Sequence, residues 1–233
     1  MIKISILIPV YNEEATIIYL LKSVQKEISK IKTVNFEIIV IDDCSKDNTS
    51  KLLKENGNLY NHMISLEKNQ GKGGAILQGL EKAKGEFILF QDADLEYSPK
   101  DYKTLIRPIV DFDVDVVMGS RFLAPQFTRV HYFWHKVGNW GLTLIFNILN
   151  NTTFTDIYCC YLIYRKSLVP LENIKTIGWE QHGEILSLAI KKGEVFFEVP
   201  ITYRGRSYHE GKKIRGFHIF KILYTITMTR FFT

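Results

Sequence analysis

Lys3-Ile-Ser-Ile-Leu-Ile-Pro-Val10 opens the chain with an apolar, β-branched run that reads as a buried strand. Behind it, Glu13–Ile28 carries Ile17, Leu20, Leu21, Val24 and Ile28 at helical spacing. The alternation then repeats, with strand runs at Phe36–Asp42, Met63–Leu66, Glu86–Gln91 and Val114–Met118 and helical stretches at Thr49–Asn56 and Gly74–Lys84. Continuous apolar runs separated by amphipathic stretches predict an α/β fold, a mostly parallel central sheet flanked by helices. Ligands of open parallel sheets bind beyond the carboxyl ends of the strands. The polar motifs of this chain cluster at those ends.

After Gly119 the rhythm changes. Arg129–Asn150 is rich in aromatics and leucines at helical spacing, and strands at Tyr161–Tyr164 and Val195–Val199 flank a helix over Glu184–Lys192. No Pro/Gly/Ser-rich linker divides the chain, so one domain spanning residues 1–233 is expected, with halves 1–121 and 122–233. The 46% hydrophobic and 24% charged composition supports a large core and excludes a disordered chain. Net charge is +5, with Arg204, Arg206, Lys212, Lys213 and Arg215 close together, a cluster suited to an anionic partner. These basic residues do not interleave with aromatics over a sheet, which disfavours nucleic acid.

The three cysteines, Cys44, Cys159 and Cys160, offer no Cys-x-x-Cys spacing, so neither a disulfide framework nor a zinc site is indicated. A reducing, cytoplasmic setting is expected. The first strand is too short to serve as a signal peptide's apolar core. Phe217–Phe232 is apolar but carries Lys221 and Arg230 and is shorter than a bilayer span. It reads either as a segment lying on a membrane surface or as an ordinary packed helix.

The run Phe87-Ile-Leu-Phe90 delivers Asp92, Asp94 and Glu96 to its exposed end. Carboxylates so clustered repel one another unless a cation neutralises them, and hard oxygen ligands favour Mg²⁺ or Mn²⁺ completed by substrate phosphate oxygens. A solvated acidic turn ahead of Ser98-Pro99 is the plain alternative. Asp42-Asp43 closes another strand, where one carboxylate could meet a ribose or a base edge, while Asp47 or Asn48 caps the next helix. Pro9, Tyr11 and Glu13 follow the first strand, offering a ring for stacking and an acid beside the same edge.

Asn69-Gln70-Gly71-Lys72-Gly73-Gly74 lacks the spacing of a nucleotide-triphosphate loop and of a dinucleotide fingerprint. Its glycines suit either close backbone approach to a ligand, with Lys72 meeting a phosphate at a helix N-terminus, or a flexible turn. Arg121 ends the Val114–Met118 strand segment and could clamp a pyrophosphate.

Taken in order, Pro9-Val-Tyr-Asn-Glu13, Val40-Ile-Asp-Asp43, Asn69-Gln-Gly-Lys72, Asp92-Ala-Asp94 and Gly119-Ser-Arg121 resemble the family 2 inverting glycosyltransferases, nearest the dolichyl-phosphate mannose and polyprenyl-phosphate sugar synthases. The likeness continues through Tyr132-Phe-Trp-His135, Gly138-Asn139, Thr155-Asp156 and Arg204-Gly-Arg206 to Glu210-Gly-Lys-Lys213. It implies a GT-A fold in which Pro9, Tyr11, Glu13 and Asp42 or Asp43 hold the nucleoside of a UDP- or GDP-hexose, and Asp92, Asp94 and Glu96 surround Mg²⁺ or Mn²⁺. Lys72, Arg121, Arg129, Arg206 and Lys212 are then candidates for the donor diphosphate or the acceptor phosphate. Residues 1–121 become the nucleotide-sugar-binding half and 122–233 the acceptor side. Asp94 and Arg121 are the expected catalytic groups.

A lipid-phosphate acceptor is already anionic and needs no base, whereas a saccharide hydroxyl would require one, with Glu184 or Glu180 as candidate. With a polyprenyl phosphate acceptor, the basic, apolar tail would hold the enzyme peripherally at a membrane. A non-catalytic nucleotide-sugar-binding protein and a nucleotidyltransferase are the rival classes. Intact Asp92, Asp94 and Arg121 weigh against the first; the second lacks a glycine-rich basic loop after the first strand.

Overall fold

The computed structural model describes residues 1–123, 133–205 and 218–232. Seven strands form one sheet: β1 (Lys3–Val10), β2 (Asn35–Asp42), β3 (His62–Ser65), β4 (Phe87–Phe90), β5 (Val116–Ser120), β6 (Leu162–Arg165) and β7 (Phe196–Pro200), in the order β3-β2-β1-β4-β6-β5-β7. Pairing is parallel throughout except for β6, which runs antiparallel to both β4 and β5. The helices are α1 (Ile17–Ile28), α2 (Thr49–Glu55), α3 (Gly71–Lys82), α4 (Tyr102–Phe112), α5 (Phe133–Asn150), α6 (Gln181–Lys192) and α7 (His218–Phe232).

The expected alternation holds because the central apolar runs are buried on both faces. Ile4, Ile6, Leu7 and Ile8 of β1 and Ile38, Ile39, Val40 and Ile41 of β2 are wholly inaccessible, and Leu20, Leu21 and Val24 of α1 pack into the same core. β1 lies at the point where the order turns, with β2 on one side and β4 on the other. At such a point the connecting chain diverges and leaves a crevice beyond the strand ends. The register brings Val10 level with Asp42 and Leu7 level with Phe90, so the segments after β1, β2 and β4 emerge together.

Several elements depart from the sequence spacing, some for identifiable local reasons. Helix α1 begins at Ile17 because the turn before it is held elsewhere: Asn12 has φ 55°, and the Glu13 amide donates to Thr49 Oγ1 at 2.9 Å. Helix α3 starts three residues earlier than predicted. Gly71 adopts φ +76°, and a Cβ on Gly73 would lie 2.2 Å from the Ile177 carbonyl oxygen, so the glycines form a closely packed first helical turn. The flexible-turn alternative is thereby set aside. Helix α4 lies where no helix was assigned: Leu105, Ile106 and Ile109 are buried at helical spacing, but Pro108 interrupts the pattern and Asp113, at φ 49°, ends it.

Helix α7 is a packed helix on one side, with Ile222 and Ile226 buried and Ile226 directly against Gly183 of α6. Phe220, Tyr224 and Phe232 on the same helix are exposed. Among the described residues no helix is long and apolar enough to cross a membrane.

Candidate active site

A cavity of about 790 Å³ opens beyond the carboxyl ends of β1, β2 and β4. Pro9, Tyr11 and Glu13 line it from the segment after β1, Asp43 from the end of β2, Lys72 and Gly73 from α3, and Asp92, Asp94 and Glu96 from the turn after β4. Arg121 enters from β5, Trp134 and Asn139 from α5, His182 from α6 and Ile219 and Ile222 from α7.

Gln91 decides where the acidic turn emerges, a role the sequence motif does not announce. Its amide nitrogen continues the pairing with Leu7 at 3.0 Å, and its buried side-chain oxygen accepts from Tyr102 at 2.7 Å and Tyr161 at 2.8 Å. Leu95 then takes φ 62°, and the Glu96 amide donates to Asp94 Oδ1 at 3.0 Å. The turn therefore presents Asp92 and Asp94 from a rigid support.

The acidic residues do not form a three-carboxylate cage. Lys72 donates to Asp92 Oδ1, and Glu96 accepts from the Tyr203 hydroxyl at 2.8 Å. Burial pulls the Lys72 ammonium toward deprotonation, but Asp92 outweighs it and holds the amine charged. Asp92 is itself kept ionised by Lys72 against the opposing effect of burial. Among the described residues no group of three His, Cys, Asp or Glu is arranged to hold a metal. Asp92, Asp94 and Glu96 nevertheless all line the cavity, and hard oxygen donors of this kind fit a cation that shares its shell with phosphate oxygens.

Of the Asp42-Asp43 pair, Asp43 lines the cavity and Asp42 does not. Asp42 is 2% exposed, accepts from the Ser45 amide at 3.0 Å and does not line the cavity. Asp43 faces it and accepts from the Gln70 amide at 2.7 Å, while burial pushes its carboxyl up from the ordinary value. Asp47 accepts from the Thr49 amide at 2.9 Å, which secures the start of α2 as expected.

Arg121 is oriented by Asp156, which is wholly buried. Arg121 Nε and Nη2 donate to the two carboxylate oxygens at 2.6 and 2.7 Å, and Asn139 donates to Asp156 Oδ1 at 3.0 Å. The guanidinium lies over the Tyr203 ring, 5.2 Å from its centroid. The fork leaves Arg121 charged and fixed at the cavity wall.

Glu184 lies outside the cavity lining. Its carboxylate accepts from the Lys175 amide at 2.9 Å, the Thr176 amide at 2.9 Å and the Thr176 hydroxyl at 2.6 Å, so it secures the approach to α6 and is not placed as a base. Glu180 is likewise committed, to Lys221 at 2.7 Å. Arg129, Arg206 and Lys212 lie outside the described residues. Cys160 borders the cavity beside Lys72, but burial and Asp92 raise its thiol well above the ordinary value, so it is not a thiolate nucleophile.

The mostly parallel sheet with a crevice at its switch point has the GT-A architecture. The chain belongs to the glycosyl transferase family 2, whose model matches residues 5–170. It is 32% identical to a UDP-N-acetylglucosamine–dolichyl-phosphate N-acetylglucosaminyltransferase of Methanococcus voltae, covering 97% of this chain and 96% of that one. It is also 28% identical to the dolichol-phosphate mannosyltransferase of Pyrococcus furiosus, covering 95% of this chain and 64% of the relative. Glucosyl-3-phosphoglycerate synthase of Mycobacterium tuberculosis, solved with Mn²⁺, UDP and its product, superposes with a TM-score of 0.68 at 19% identity, covering 98% of this chain and 80% of that one.

Proposed function

We propose that the protein transfers a hexosyl unit, with inversion, from a UDP- or GDP-sugar to a polyprenyl phosphate. The observation that carries this reading is one cavity joining Pro9, Tyr11, Glu13 and Asp43 on the nucleoside side to Asp92, Asp94 and Arg121 at its centre, with Trp134 and Ile219 as an apolar wall. The relatives that act on dolichyl phosphates support the choice of acceptor.

Tyr11 offers its ring to the base and Asp43 its carboxylate to the ribose. Asp94 and Asp92 would hold Mg²⁺ or Mn²⁺ together with the donor diphosphate, and the cation would supply positive charge to the departing group. Arg121, locked by Asp156, adds a preorganised cation on the same path, where charge grows as the glycosidic bond breaks. The phosphate oxygen of the acceptor attacks from the opposite side. It carries negative charge at neutral pH, so no proton need be removed, in keeping with the structural commitments of Glu184 and Glu180.

The acceptor side is proposed to rest on a membrane surface. Trp134, Trp140 and Ile148 of α5 and Phe220, Tyr224 and Phe232 of α7 are all exposed, and neither helix contains an acidic residue. Large aromatic side chains on helices free of negative charge suit an anionic lipid interface. Trp134 and Ile219 carry this apolar character into the cavity.

The test is a panel in which the protein and Mn²⁺ or Mg²⁺ are incubated with labelled UDP-N-acetylglucosamine, UDP-glucose or GDP-mannose, with and without polyprenyl phosphate. Organic-extractable label that requires the lipid is expected for one donor. Label appearing only on an added saccharide would transfer the acceptor assignment to a hydroxyl, and no transfer from any donor would refute the proposal.

A further inference from the structure

His182 stands on the first turn of α6 with its ring in the cavity wall. Its position is over-determined. The neighbouring Gln181 donates to the carbonyls of Gly73 at 3.1 Å and Thr176 at 2.7 Å, and Tyr158 donates to the Trp179 carbonyl. The rings of Phe90 and Tyr158 pack around the imidazole, with centroids 6.3 and 5.7 Å away. Nε2 is buried yet has no hydrogen-bond partner among the described residues. Buried polar atoms in native proteins are nearly always satisfied, so an unpaired one on a cavity-lining residue calls for a partner, whether water, an ion or a ligand group.

The surroundings narrow the class of ligand group. Lys72 and Asp92 neutralise one another, and Cys160 stays a thiol. Burial, together with the Lys72 ammonium, depresses the imidazole to about 4, so the ring is uncharged at neutral pH. The imidazole is therefore a neutral hydrogen-bonding group beside the Lys72–Asp92 ion pair. It suits a neutral hydroxyl, which can both donate and accept, better than a phosphate.

We infer that His182 Nε2 hydrogen-bonds a hydroxyl of the transferred sugar and so helps select the donor. This rests on the reading of the cavity as a nucleotide-sugar site. The contact is to the sugar and not to the nucleotide, which separates it from the roles of Tyr11, Asp43 and Arg121.

Calorimetric titration tests it without requiring turnover. The ligands are UDP-N-acetylglucosamine, UDP-glucose and GDP-mannose, each beside its free nucleoside diphosphate, in the presence of Mg²⁺. His182→Phe preserves the ring shape and is expected to weaken the preferred sugar nucleotide about tenfold, the loss of one neutral hydrogen bond, with UDP or GDP affinity unchanged. His182→Gln, which restores a neutral polar group, is expected to recover most of the loss. Equal weakening of the sugar nucleotide and its diphosphate, or no weakening in His182→Phe, would overturn the inference and leave the proposed function standing. Wild-type protein that binds none of the sugar nucleotides would overturn both.

Discussion

Removing Asp156 exposes how the candidate site is held together. Asp156 is inaccessible, and its two oxygens accept from Arg121 Nε, Nη2 and backbone amide and from Asn139. The Arg121 side chain is only 15% exposed, so Asp156→Ala leaves a nearly buried guanidinium with Asn139 Oδ1 at 3.3 Å and the ring faces of Tyr203 and Phe122. Breaking a buried ion pair from one side costs about 3–5 kcal/mol, and the residual exposure of Arg121 favours the lower half of that range. The lost Asn139 bond adds about 1 kcal/mol, giving a total near 4 kcal/mol. At 233 residues each kcal/mol corresponds to roughly 2 °C or slightly more, so thermal unfolding should fall by about 8 °C or more. Urea unfolding of the wild type, Asp156→Ala and the double variant Arg121→Met/Asp156→Leu supplies the assay. The charge-free double variant should recover most of the stability, because apolar groups replace both ions. A single-variant loss below about 1 kcal/mol, or a double variant no more stable than the single one, would refute the account.

Asp94→Ala is expected to abolish divalent-cation-dependent donor turnover while leaving the unfolding free energy within about 1 kcal/mol of wild type, since Asp94 lines the open cavity and accepts from the Glu96 amide at 3.0 Å. Full turnover in that variant would remove Asp94 from the chemistry. Glu184→Gln should lower stability by about 1–3 kcal/mol through its weakened bonds to Lys175 and Thr176 and leave the shape of the pH–rate profile unchanged; loss of one limb of that profile would restore Glu184 as a base. Burial acts to raise the Glu37 carboxyl, but the Ser5 hydroxyl, the Lys84 amide and the Lys3 ammonium together bring it below its ordinary value of 4.5. The resulting stability is present above that pH and is lost as the pH falls through the lower folded value, so Glu37→Gln should flatten the acid limb of a stability–pH curve; an unchanged limb would count against this network.

Much of the fold is legible without coordinates. The expected β1 matches Lys3–Val10 at both ends, and α1 is recognised from Ile17, Leu20, Leu21 and Val24. These readings succeed because strand and helix periodicity is written in residues a few positions apart. The same locality explains the miss at α4, where Pro108 argues for a break although the surrounding core keeps the helix intact.

The order of motifs along the chain also determined the family and the sheet edge at which they meet. Tertiary structure alone decided what each side chain does there. Asp42 and Asp43 are adjacent and chemically identical, yet one closes a loop and the other faces the cavity. Glu96 turns to Tyr203, 107 positions away, and Lys72 turns to Asp92, 20 positions away. His182 and Gln91 belong to no motif, because their importance lies in burial and in which neighbours leave an atom open or satisfied. Sequence spacing specifies local periodicity and strand ends; the partner of a polar atom depends on three-dimensional approach between segments far apart in the chain, and that pairing sets both charge state and reach.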